Sequence, residues 1–231
     1  MTVAADSVTG DRVLIVVAHP REVAAVCRGL GGRPGELWKI VAAGAHADVA
    51  WCGVGKANAA GCVGRVFDGA RHGAVLSVGV AGSLPSPGAP GLRGVILATA
   101  SVFADEGLVH PGGFDDLARM GLAPEGVTFP VSEELGRRMG ALADIRAPIA
   151  CVSACSGTDG AAAEVARRTG ALAEAMEGAA CALAAARLGA RFAEVRVISN
   201  TTGDRARQAW DLEGALGRLE AVIGPAVGAL R

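Results

Sequence analysis

The chain has 231 residues, enough for one large α/β domain around a single core. Hydrophobic residues make up 51% and charged residues 19%, which excludes an intrinsically disordered chain. Lys and Arg total 22 against 23 for Asp and Glu, and no basic cluster stands out, so nucleic acid is not an expected partner. The polar start MTVAADSVTGDR has no basic stretch followed by an apolar one, and residues 1–11 are expected to form a flexible start. Residues 12–18 (RVLIVVA) read as a first buried strand, and a helix over 21–30 follows with Pro20 in its first turn. A strand at 49–54 leads through GVGKANAA into a helix at 57–68. Strands at 74–80 and 94–103 flank a Pro- and Gly-rich loop. A helix over 132–142 starts at Ser132, followed by a strand over 147–153 and a helix over 161–169. A helix over 178–188 stops at Gly189, and a strand over 192–199 and a helix over 212–230 complete the pattern. Continuous apolar strands alternating with helices predict one α/β domain over 1–231, its mainly parallel sheet covered on both faces.

No apolar run reaches the ~18 residues of a membrane span, so a soluble, cytoplasmic protein without a membrane partner is expected. The six cysteines fall mostly inside apolar runs. Cys151 and Cys155 are the only close pair, with no His nearby to complete a metal site. They read as free thiols in a reducing compartment.

In parallel sheets, ligands bind beyond the carboxyl ends of the strands. The groups standing there are Glu22, the glycine-flanked Val80-Ala81, the 153–158 loop with Ser156 and Thr158, Glu177, and Asn200. Five segments thus bring small or polar groups to one rim. GVGKANAA lacks the third glycine of a dinucleotide loop and the ending of a P-loop, so it reads as a tight strand-to-helix turn. Glu22, in the first turn of its helix, has an ordinary explanation in the helix dipole. His19 reads as structural, and Asp105-Glu106 as a solvated turn. Glu177 is harder to explain, because the helix after it, GAACALAAARLGA, is almost wholly apolar. A carboxylate carried into such surroundings needs donors, from helix-start N–H groups, a salt bridge or a bound vicinal diol. Asn200 either makes a turn or presents its amide donor and acceptor to a planar ligand.

In order and spacing, LIVVAHPREV, GVGKANAA, SVGVAGSL, AMEGAACALAA and VRVISNTTGDR resemble the nucleoside phosphorylase/nucleosidase family, over residues 13–210. Within it, SVFADEG, the Cys-Val-Ser-x-x-Ser-Gly-Thr stretch and the run from Ile-Ser-Asn to Gly-Asp-Arg and Trp are most similar to the futalosine hydrolases. The resemblance implies a mixed sheet flanked by helices and cleavage of an N-glycosidic bond through an oxocarbenium-like sugar, with no metal or organic cofactor. The partners are then a small nucleoside, water and further copies of the chain. Glu22 matches the carboxylate that activates water, and AHPRE is less acidic than the usual run, which leaves that role to Glu22 alone. Met176 and Glu177 match the ribose-binding pair, Val80-Ala81 the backbone beside sugar and base, and Ser156 and Thr158, more loosely, the base-covering segment. Asn200 matches the residue at the purine N7 edge, where adenine-cleaving relatives carry an Asp. An amide there favours a 6-oxopurine. The expected reaction is hydrolysis of futalosine to hypoxanthine and dehypoxanthine futalosine, with Arg205 and Trp210 as candidates for the tail. The alternatives are a 6-oxopurine nucleoside phosphorylase, an enzyme like the methylthioadenosine/S-adenosylhomocysteine nucleosidases, and a non-catalytic nucleoside binder.

Overall fold

The computed structural model describes residues 8–231. Of the expected flexible start, residues 1–7 lie outside the described residues. Thr9 and Gly10, in contrast, are tied down, both donating to the Gly69 carbonyl at 2.9 and 3.0 Å.

The elements follow in chain order as β1 (Arg12–Val17), α1 (Pro20–Gly29), β2 (Ile40–Ala43), β3 (Ala47–Trp51), α2 (Lys56–Val66), β4 (His72–Ser83) and β5 (Val95–Phe103). A small hairpin of β6 (Gly107–His110) and β7 (Gly113–Asp116) precedes β8 (Thr128–Pro130) and α3 (Glu133–Met139). Then come β9 (Ile145–Cys151), α4 (Asp159–Thr169), β10 (Ala173–Ala175), α5 (Gly178–Arg187), β11 (Arg191–Thr201) and α6 (Leu212–Ala229). All six helices and six long strands expected from periodicity are present. The additional strands β2, β6, β7, β8 and β10 are three or four residues long, too short for a pattern to announce them.

The main sheet runs β10-β9-β5-β11-β4-β1-β3-β2, with β8 on β5. Pairings of β1 with β3 and β4, of β4 with β11, and of β9 with β5 and β10 are parallel. Those of β11 with β5, β2 with β3, and β8 with β5 are antiparallel, so the sheet is mixed. β10 also pairs antiparallel with β4, which joins β4, β11, β5, β9 and β10 into a closed ring. A cluster of small and branched side chains draws on all five strands of this ring, among them Ala81, Ala98, Ile149, Ala173 and Ile198.

β1 explains why the sheet is covered on both sides. Val13, Ile15 and Val17 enter one core with residues of α1 and α6, while Leu14 and Val16 enter another with residues of α2 and α5. Alternation along a strand sends neighbours to opposite faces, and both faces here are apolar. Far from the carboxyl ends, Asp48 is buried and held by Arg12, Arg71 and His72. Among the described residues, no helix is long and apolar enough to cross a membrane.

Candidate active site

At the carboxyl end of β1 the chain turns through His19-Pro20 into α1. His19 caps the helix, its ring accepting the Arg21 N–H, and Glu22 reaches back to accept the His19 N–H at 2.9 Å. The expected helix-start role of Glu22 is therefore real. Its second oxygen, however, accepts the Val80 N–H of β4 at 2.7 Å, so one carboxylate ties the turn after β1 to β4. Glu22 is 5% exposed. Burial pushes its pKa above the usual carboxylate range, opposed by the Arg196 charge and the Val80 N–H.

Arg196 is the hub of the site, and the sequence reading passed over it. It is 1% exposed on β11, with Nε donating to Glu194 at 2.9 Å and Nη2 lying 3.3 Å from Glu177 and 3.0 Å from the Ser77 hydroxyl. Its Nη1 and a Glu22 oxygen both crowd the position where Gly79 lacks a side chain: a Cβ there would sit 2.7 and 2.6 Å from them. Glu22, Glu177 and Glu194 therefore surround one guanidinium, and they hold it in its charged form against the cost of burial. The signal was visible in FAEVRVIS. Glu and Arg two apart on an otherwise apolar strand share a face, and inside a covered sheet they must find partners there.

Glu177 stands at the N-cap of α5 and does not cap it. Its Oε1 accepts the Gly55 N–H at 3.0 Å, and its Oε2 faces Arg196 and the Met176 N–H. Of the sources open from the sequence, the salt bridge contributes; the backbone donors come from the glycine turn and from Met176, not from the start of α5. The turn's Lys56 pairs with Asp105 and lies 3.3 Å from Glu106, so that acidic pair is engaged with it. The glycine after Glu177 is explained by Glu194: a Cβ on Gly178 would lie 2.0 Å from the carboxylate oxygen that accepts the Ser101 hydroxyl, the other oxygen being held by Arg196.

Asn200 lies within β11, not past its end. Register shifts between Ile198, opposite Ala81, and Asn200, opposite Gly82, leaving Ser199 as the extra residue. In a regular strand Ile198 and Asn200 would share a face. The bulge sends Ile198 into the ring cluster with Ala81 and re-aims Asn200 to the other side. The amide's orientation is set, with Oδ1 accepting the Ser199 hydroxyl at 2.9 Å and Nδ2 donating to the Thr201 carbonyl at 3.0 Å.

These groups border one cavity of about 270 Å³, lined by Glu22, Val80, Ala81, Met176, Glu177 and Asn200 among others. Cys155 brings the 153–158 loop to it, so all five segments singled out from the sequence converge. Two site residues fall elsewhere. Ser156 is buried against Glu174 and lines an adjoining space of about 200 Å³, beside Arg205 and Trp210. Thr158 is exposed and caps α4, accepting the Ala161 N–H at 3.2 Å, and it lines neither space. The Thr158 hydroxyl thus starts a helix. Glu174, absent from the sequence reading, lines both spaces. Five of the six cysteines are buried, and burial pushes the Cys62 and Cys151 thiols up to about 11 and about 12.

The Phosphorylase superfamily matches residues 12–223, nearly the whole chain. The chain belongs to this superfamily. A superfamily relative, the futalosine hydrolase of Acidothermus cellulolyticus, is 39% identical over 214 residues, covering 90% of this chain and 86% of the relative. A methylthioadenosine/S-adenosylhomocysteine nucleosidase from Colwellia psychrerythraea, solved with adenine, superposes with a TM-score of 0.76 at 19% identity, over 97% of this chain and 98% of that one. A mutant futalosine hydrolase of Helicobacter pylori superposes with a TM-score of 0.76 at 21% identity, over 94% and 99%. These structural likenesses establish the superfamily fold for the mixed sheet and its six helices.

Proposed function

We propose that this member of the phosphorylase superfamily hydrolyses the N-glycosidic bond of futalosine, releasing hypoxanthine and dehypoxanthine futalosine. The observation that carries the reading is the arrangement of the cavity: two carboxylates, Glu22 and Glu177, share Arg196 at one end, and the Asn200 amide stands at the other. The 39% identity to a futalosine hydrolase supports the choice of substrate.

Cleavage leaves positive charge on the sugar and negative charge on the departing base. Glu22 accepts a proton from the attacking water, the Arg196 charge opposes the burial that raises its pKa, and the carboxylates stabilise the oxocarbenium-like sugar. Glu177, fixed by Gly55 and Arg196, accepts from the sugar hydroxyls, with Met176 against the sugar. Asn200 cannot protonate the base. Its remaining Nδ2–H donates to the purine edge where charge gathers.

Water is favoured over phosphate as the nucleophile. Glu22, Glu174 and Glu177 line the cavity, whereas its two arginines are engaged, Arg196 with glutamates and Arg21 with Glu213. Among the described residues lining the cavity, a phosphate dianion would meet three carboxylates and only guanidiniums already paired with glutamates. The discriminating experiment measures hypoxanthine release from futalosine with and without phosphate. Release that is independent of phosphate is expected, and strict dependence on it would establish a phosphorylase. We also infer that the protein acts in a reducing cytoplasm, supported by its free buried thiols, and as a homo-oligomer, supported by the exposed Leu37, Val54, Leu108 and Val109.

A further inference from the structure

Three strands set Glu174, Gly82 and Asn200 in one row. β10 runs antiparallel on β4 with Glu174 opposite Gly82, and β11 runs parallel on its other side with Asn200 opposite the same glycine. Strands lie roughly 4.8 Å apart, so the outer two backbones are about 10 Å apart, and Gly82 itself puts no side chain between them. A Cβ on Gly82 would find Thr202 Cγ2 at 2.7 Å, Asn200 Nδ2 at 3.3 Å and Glu174 Cγ at 3.7 Å, so the Thr202 methyl sits over the glycine with the Asn200 and Glu174 side chains beside it. Glu174, Gly82 and Asn200 all line the cavity.

A second observation concerns the hydrogen bonding of Glu174. It is 4% exposed, and its oxygens accept the Ser156 N–H at 2.7 Å and the Ser156 hydroxyl at 2.6 Å. Among the described residues it forms no ion pair, unlike Glu177 beside it. A carboxylate offers about four acceptor sites, so two remain on a group that burial makes costly to ionise. It is thus positioned and short of donors, on the wall of a cavity otherwise provided with carboxylates for sugar and water.

We propose that Glu174 is a specificity-determining residue of the base pocket, its carboxylate accepting the ring N1–H of a 6-oxopurine while Asn200, across Gly82, donates to the same base. The inference rests on reading the cavity as a 6-oxopurine nucleoside site. The chemistry selects one tautomeric edge. A lactam presents N1–H as a donor next to the O6 acceptor, whereas a 6-aminopurine presents an N1 acceptor, which an acceptor-only carboxylate repels. Ser156 acts as the positioning residue, holding both carboxylate oxygens.

The test is calorimetric binding of hypoxanthine, 1-methylhypoxanthine and adenine to the full-length wild type and to Glu174→Gln. Wild type is expected to prefer hypoxanthine over both others by about tenfold or more, the scale of one hydrogen bond to a charged group. In Glu174→Gln that preference should shrink at least tenfold, chiefly through weaker hypoxanthine binding, with 1-methylhypoxanthine nearly unchanged. A wild type that binds hypoxanthine and its 1-methyl derivative equally well, or binds neither, overturns the proposal without recourse to any variant. A folded Glu174→Gln protein with unmoved ratios overturns it as well. Turnover is read separately. Wild type that binds bases as expected yet releases none from futalosine refutes the activity and leaves the base reader standing. Hydrolysis of futalosine with unmoved base ratios does the reverse.

Discussion

Replacing Glu22 by Gln separates a base from a helix cap. The amide keeps the shape of the side chain and one acceptor oxygen. The carboxylate accepts two backbone N–H groups, from Val80 at 2.7 Å and His19 at 2.9 Å; Gln can satisfy one and turns a donor toward the other. If Glu22 takes the proton of the attacking water, kcat should fall by about 10²–10⁴. That corresponds to about 2.7–5.5 kcal/mol in the barrier, at about 1.36 kcal/mol per decade. Stability should respond differently. The folded-state pKa of Glu22 is raised, chiefly by burial, so the folded protein holds this proton more tightly than the unfolded chain does. The stability linked to it is fully present below the unfolded pKa and is lost as pH rises through the folded one. Near neutral pH the wild type therefore bears a cost that Gln removes, while the lost cap subtracts about 1 kcal/mol. The two oppose each other, so Glu22→Gln should melt no more than about 4 °C below wild type near neutrality. Relative to wild type it should lose ground as the solution is acidified. Steady-state hypoxanthine release and thermal melts across the pH range measure both arms. If the folded variant keeps more than about a tenth of wild-type kcat, the carboxylate is a cap and the base assignment is wrong.

Glu177→Gln should reduce the preference for a riboside over its 2′-deoxy counterpart by roughly tenfold, the scale of one charged hydrogen bond, read as a ratio of kcat/KM values. An unchanged ratio would remove Glu177 from the sugar site. Gly178→Ala drives a methyl into the Glu194 carboxylate and should destabilise by about 1–3 kcal/mol. Gly217→Ala, on α6 with nothing within 4 Å of the new carbon, should stabilise by about 0.5–1 kcal/mol; denaturant melts compare the pair. Asp48→Asn strips a buried carboxylate from Arg12, Arg71 and His72 and should cost about 3 kcal/mol while leaving turnover of the folded protein intact. Burial would raise the Asp48 pKa, but Arg71, Arg12 and His72 outweigh it and hold it well below the usual range. Its contribution is therefore present above the unfolded pKa and lost as pH falls, so the gap between variant and wild type should close in acid.

Much of the fold and part of the candidate site were legible in the sequence, because both are written locally. β1 shows a run of buried residues, α1 shows a Pro in its first turn with Glu22 two positions on, and α5 is almost wholly apolar after a lone carboxylate. Such patterns need only neighbours along the chain, and they were enough to mark the ends of segments that meet at one cavity. Thr158 marks the limit of such patterns, since a hydroxyl near a strand end has the same local signature whether it caps a helix or covers a ligand.

Register between strands distant in sequence was decided only in three dimensions. A one-residue bulge at Ser199 turns Asn200 away from the ring cluster and sets it opposite Gly82, although the residue string around it reads as an ordinary strand end. Arg196 becomes the partner of Glu22, Glu177 and Glu194 because β11 lies beside β4 and against α5. Glu174 enters the cavity because a three-residue strand, too short to carry a pattern, closes the ring against β4. The sequence by itself determined the helices and the longer strands and which carboxylate stood out in an apolar setting, since periodicity and burial cost act along the chain. Which charges share a guanidinium, and which two residues face each other across a glycine, depended on the pairing of strands that are far apart in it.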